Sequence, residues 1–175
     1  MHFLSLMLGA AMLLSASFQG SSQYEWNKKS TLTTDQQVEF PGIVLESGTY
    51  VVRLCESGEK RSVVQVMNKD ETQVLASVVA VPDHRTRPED NSEFTFHQAA
   101  SGGSHAVRSW FFSGDLVGLE FVYPKHRAED IAKESDDHVL ASNSTNKDDV
   151  IVAITPNGKE IVIDGHDQHK RRKPQ

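Results

Sequence analysis

"RSWFFSGDLVGLEFVYPKHR", residues 108–127, decides the fold: it sets Trp110, Phe111, Phe112, Phe121 and Tyr123 on either side of a Ser113-Gly114-Asp115 turn signal. Apolar runs flanking such a turn read as a β-hairpin. With Gly114 and Asp115 as the turn, Phe112 faces Val117, Trp110 faces Leu119 and Arg108 faces Phe121, and Tyr123 continues the same face. The other face pairs Phe111 with Gly118 and Ser109 with Glu120. Most of the aromatic series is therefore expected to form core, which leaves Phe111, Ser109 and Glu120 as the side available for contact.

The same rhythm extends through the chain. "VEFPGIVL", "GTYVVRLC", "RSVVQVM", "QVLASVVAV", "EFTF", "AVRSWFF" and "LVGLEFVY" are apolar and β-branched runs separated by Pro, Gly, Asn and Asp. About seven or eight short strands predict an all-β fold, an antiparallel β-sandwich or a partly closed barrel. "QVLASVVAV" is apolar or small at both parities and so predicts a central strand, whereas "EFTFHQ" alternates and predicts a peripheral one with His97 on its solvent face. Pro124 followed by Ala128, Ile131 and Ala132 predicts one short helix near 124–134.

The ends differ from this body. "MHFLSLMLGAAMLLSAS" is too short an apolar run to span a bilayer and reads as an export leader over 1–22, cut near 17–22. The mature chain is expected to be exported, periplasmic or extracellular, with no transmembrane segment. Residues 23–135 read as the β-domain with its helix, 136–149 as an acidic, polar linker, 150–164 as a hairpin turned at Asn157-Gly158, and 165–175 as a basic disordered tail. A two-residue turn at Asn157-Gly158 pairs Ile154 with Ile161 and Val152 with Ile163. The hairpin should dock on the domain or on another chain, because a lone hairpin is marginal in water.

Charge narrows the partners. The net charge is −6, and removing the four positives of Lys170-Arg171-Arg172-Lys173 leaves 14 − 24 = −10 for the rest, which argues against nucleic acid. The single Cys55 forms no internal disulfide and reads as a small buried hydrophobe. His166 and His169 in the tail lack the organised ligands that a metal needs, and no cofactor motif is present, so neither a cofactor nor a metal is expected.

"VEFPGIVLESGTYVVRL", "TQVLASVVAVPDHR" and "WFFSGDLVGLEFVYPKHRAEDIAK" resemble three blocks of a family of short, uncharacterised, exported bacterial proteins of acidobacterial type. The resemblance covers roughly residues 25–135 and rests most on a W-F-x-x-G-D-x-x-G-x-E-F-V-Y-P-K series. Where members of that family commonly read Trp-Phe-Tyr-Pro-Gly-Asp, this chain has Phe112 and Ser113. The resemblance implies an exported β-domain with a short helix and carries no activity and no functional residues.

Hydrolase and redox motifs such as G-x-S-x-G, H-E-x-x-H and C-x-x-C do not occur. Two readings of function follow. The first is a non-catalytic domain that binds an envelope polymer or another envelope protein; its candidate contacts are Phe111 and Glu120 on the hairpin and Asp83, His84 and Arg85 in "VPDHRTRPEDNSE", which reads as a loop. The second is a small hydrolase acting on carbohydrate or peptidoglycan, with Glu120 and either Asp83 or Asp115 as its two carboxylates. The hydrolase needs two acids facing each other across a cleft.

Overall fold

The computed structural model describes residues 28–164 apart from 59, 99–104 and 144–148. The stretch expected to be a leader and the basic tail with His166 and His169 lie outside the described residues. The chain runs β1 (Lys29–Thr34), β2 (Val38–Phe40), β3 (Ile43–Leu45), β4 (Gly48–Glu56), β5 (Ser62–Asn68), β6 (Val74–His84), β7 (Glu93–His97), β8 (His105–Phe111), β9 (Val117–Phe121), β10 (Tyr123–Pro124), α1 (Lys125–Ser135), β11 (Val139–Ser142), β12 (Ile151–Ile154) and β13 (Glu160–Asp164).

These strands form two sheets. The larger has nine strands in the order β1-β4-β5-β6-β9-β8-β2-β3, with β7 on the other edge of β8; the smaller has the order β10-β11-β12-β13. The architecture is β-sandwich-like, largely antiparallel, and not a closed barrel. β6 sits mid-sheet and β7 at the periphery, as their apolar patterns predict.

The large sheet folds back over its own core. The Trp110 indole on β8 donates to Ser30 Oγ on β1 at 3.0 Å, although the two strands lie far apart in the sheet order. The space between holds Val52, Val64, Val66, Ala80, Val107, Trp110 and Phe121, each no more than 0 % exposed, and Phe121 meets Phe40 edge to face at 5.4 Å. Burial of this apolar surface, at about 25 cal/mol per Å², is the main favourable contribution to folding.

α1 buries Ala128, Ile131 and Ala132 against the same core, as the spacing predicts. Two contacts fasten it and its flanking strand to β2. Arg127 grips Glu39 with two hydrogen bonds of 2.8 and 2.9 Å, and the buried Tyr123 hydroxyl donates to the Val107 carbonyl at 2.8 Å while lying 3.0 Å from that of Glu39.

Several expectations change. The stretch 136–149, read as a linker, contains β11, all four residues of which are buried; it pairs parallel to β10 across α1 and antiparallel to β12. Four residues are too few to show a period against their acidic flanks. Cys55 is exposed, because the β4–β5 register shifts between Leu54 and Glu56 and the cysteine falls at that irregularity. At the C-terminal hairpin Ile154 pairs with Glu160 and Ala153 with Ile161, one residue away from the expected register. Pro156 suits the second position of a type I turn, and Gly158, at φ +78°, closes a three-residue loop with its N–H donating to the Thr155 carbonyl at 2.8 Å.

Candidate functional site

The aromatic hairpin has the register its turn predicts: Ser109 pairs with Glu120, Trp110 with Leu119 and Phe111 with Gly118. Arg108 departs from it. The β7–β8 ladder passes from Thr95–Ser109 to Phe96–Val107, so Arg108 is an extra residue in β8. The bulge lets Val107 and Trp110, three positions apart, share one core, and Arg108 reaches the Glu120 carboxylate instead of facing Phe121.

A polar cluster assembles on the face opposite Trp110. Val81, Glu120, Ser109 and Thr95 form one cross-strand row from β6 to β7, and Asp83, Gly118, Phe111 and Glu93 form another. Asp83 accepts a 2.5 Å hydrogen bond from Ser109 Oγ. Arg108 lies 3.5 Å from Glu120 and 2.8 Å from Asp137, which follows α1 directly after Asp136 turns the chain at φ 53°. His97 completes the group with its Nδ1 3.6 Å from Asp137, too far for a hydrogen bond.

The environment sets the protonation of these groups. Burial first, then the negative charges of Asp83 and Asp137, push the Glu120 carboxyl up from 4.5 to about 7, with Arg108 opposing. Burial and the Arg108 charge pull His97 down from 6.5 to about 4. Its imidazole is neutral at pH 7, its side chain is 1 % exposed, and neither ring nitrogen has a hydrogen-bond partner among the described residues. His97 is therefore a buried residue and not the solvent-face residue its alternating strand predicts. The alternation of β7 is kept, and the face that carries His97 is covered by Arg108 and by Asp137, which follows α1.

The other sequence candidates divide between structure and surface. Phe111 is 4 % exposed; it lies under the Arg85 guanidinium, 5.0 Å from its ring, and over Gly118, so it is not the exposed contact that the hairpin's outer face suggested. A Cβ at Gly118 would stand 2.4 Å from the Phe111 ring and 2.7 Å from the Trp110 carbonyl oxygen. Arg85 ties down the 112–116 turn by donating to the carbonyls of Phe112 and Asp115, both at 2.8 Å. Asp83 and His84 stand at the end of β6 and not in a loop, with His84 exposed. Asp115 pairs with Lys28 at 2.6 Å, on the turn and away from the Asp83–Glu120 group.

Two cavities among the described residues bear on the site. One, of 380 Å³, opens at the end of the curled sheet between Lys28, Leu54, Ser62, Phe112 and Leu119. The smaller, 160 Å³, lies between Gly42, Val78, Tyr123 and Ser142. Glu120, Asp83 and Asp115 line neither. The Glu120 side chain is 15 % exposed, so the cluster is a packed network on a sheet face, where a near-neutral carboxyl follows from burial and the neighbouring Asp83 and Asp137 charges. No group of three potential metal ligands occurs among the described residues, and no helix there is long and apolar enough to cross a membrane.

Set against known protein families, curated proteins and solved structures, the chain matches none of them.

Proposed function

We propose that this chain is a non-catalytic, exported domain of the bacterial cell envelope that binds a partner protein by accepting an extended segment along β13. One observation carries this reading. β13 ends the small sheet, and Ile161, Val162 and Ile163 are 42, 64 and 54 % exposed. Natural edge strands are usually shielded by charge, proline or a covering element, and three consecutive exposed apolar residues on a free edge are what strand addition uses. The resembling blocks end before β13, so the strand belongs to the part of the chain outside that resemblance.

The hydrolase reading has one observation on its side, the Glu120 carboxyl near 7. It lacks a second carboxylate facing Glu120 across either cavity, which inversion or retention at a glycosidic centre requires.

A pull-down from envelope extract tests the proposal, with the chain lacking residues 1–22 as bait. Wild type is expected to retain a defined protein that Val162→Lys loses, whether or not residues 166–175 are present. Equal retention by Val162→Lys, with its melting temperature unchanged, would remove the proposal. Release of soluble sugar from envelope polysaccharide that Glu120→Gln abolishes would replace it with the hydrolase.

A further inference from the structure

Among the described residues, the curled sheet is filled along most of its length and open at one end. On β5, Ser62, Val64 and Val66 share the inward face; the two valines are fully buried in the core, while Ser62, also buried, lines the 380 Å³ cavity. A residue as small as serine at this inward position leaves the end of the interior unfilled. Protein interiors contain few voids larger than a water molecule, and a cavity of this size falls within the range of small-molecule sites.

The lining has a definite polarity. Leu54, Pro82, Phe112, Val117 and Leu119 supply apolar walls, and Ser57, Ser62 and Lys28 make about half of the lining polar. The charged group in the lining is Lys28, whose ammonium sits 4.9 Å above the Phe112 ring and 2.6 Å from Asp115. Its side chain is 29 % exposed, so the charge stands at the mouth and the apolar walls lie within.

From this arrangement we infer a binding site for an anionic amphiphile, a linear aliphatic chain ending in a carboxylate or phosphate, with the chain in the cavity and the head on Lys28. A cavity of 380 Å³ has the size of small-molecule sites, and a ten-carbon carboxylate is a suitable probe of it. Asp115 competes with the head for the same ammonium, and its 40 % exposed carboxylate can turn to solvent when displaced. This site is independent of β13, because it lies in the other sheet and none of its lining comes from the C-terminal hairpin.

Calorimetric titration of the protein with decanoate tests the inference, with decyl phosphate, decanol and hexanoate as the other arms. Decanoate or decyl phosphate is expected to bind saturably at one site, and whichever is tighter identifies the head; decanol and hexanoate are expected to bind more weakly. Ser62→Leu fills the cavity and should weaken decanoate at least about tenfold. Lys28→Gln should remove the preference for decanoate over decanol, and Asp115→Asn should tighten decanoate about threefold without affecting decanol, the size expected for a partly exposed ion pair. Absence of saturable binding, equal affinity for decanoate and decanol in the wild type, or unchanged binding in Ser62→Leu would overturn the site. If Ser62→Leu fails to fold, Lys28→Gln and Asp115→Asn, both changes at the solvent-facing mouth, decide the matter.

Discussion

The two hairpins β8–β9 and β12–β13 are built from similar material and end in different situations. β8–β9 lies within the large sheet, with β6 beside β9 and β7 along the far edge of β8, so both of its strands are paired on both edges. β12–β13 closes the small sheet: all four residues of β12 are buried, and among the described residues no strand pairs the far edge of β13, three apolar side chains of which are exposed. Aromatic content marks the buried hairpin, and the aliphatic strand at the sheet's end is the one proposed to bind. What separates them is the presence of a neighbour on the far edge, which hairpin composition does not encode.

If β8–β9 is structural, damage there should cost the most. Trp110→Ala removes a fully buried indole and its hydrogen bond to Ser30, and should lower stability by about 3–5 kcal/mol in a denaturant titration. A loss under 1 kcal/mol would mean that the hairpin does not organise the core.

The polar face of the same hairpin should appear in the pH dependence. Glu120 holds its proton more tightly in the folded chain than in the unfolded one, so its contribution is complete below pH 4.5 and is lost as pH rises through about 7. His97 has the opposite sign: its contribution is complete above pH 6.5 and is lost as pH falls through about 4. Between pH 4.5 and 6.5 the two slopes, each about 1.4 kcal/mol per pH unit, oppose one another. Relative to wild type, Glu120→Gln should gain roughly 2–3 kcal/mol as pH goes from 4.5 to 7, and His97→Gln should gain a similar amount as pH goes from 6.5 to 4. Urea midpoints across this range check both, and parallel curves for wild type and variants would contradict the assignment.

A smaller effect is expected at Gly118. Alanine there meets both the Phe111 ring and the Trp110 carbonyl, and since Phe111 is pinned under Arg85 the ring has little room to yield. The cost should be about 1–3 kcal/mol, read from the melting temperature. Smallest of all should be Val162→Lys on β13, within about 0.5 kcal/mol of wild type, because the side chain is already in water. A larger loss would show that β13 is covered in the free protein.

Features set by a few neighbouring residues were legible in the sequence, and features set by distant ones were not. The β8–β9 register agrees with the one expected from a Gly114-Asp115 turn, although the turn itself is centred on Ser113-Gly114, with the Asp115 N–H donating to the Phe112 carbonyl, and the Ala128, Ile131, Ala132 spacing gives the helix face. The register of β12–β13 shifted by one because Pro156 extends the Asn157-Gly158 turn to three residues, a cue that is present in the sequence. The spacing of Val107 and Trp110, both apolar and three apart, likewise hints at the bulge that frees Arg108. Glu120 and Asp83 do share the polar cluster, but Asp137 reaches it only because β10, α1 and β11 return the chain to β8, and His97 is buried there by the same assembly. No local pattern carries that information. The cavity at Lys28 is equally non-local, since its walls come from β4, β5, β6, β9 and three segments outside the strands, at Lys28, at Ser57-Gly58 and at Phe112.

Amide hydrogen exchange, measured on the protein alone and with the partner captured from envelope extract, tests the central claim most directly. Binding at the β13 edge predicts slower exchange across residues 160–164 and unchanged exchange across 109–120. Protection confined to 109–120, with 160–164 unaltered, would place recognition on the aromatic hairpin and contradict the account.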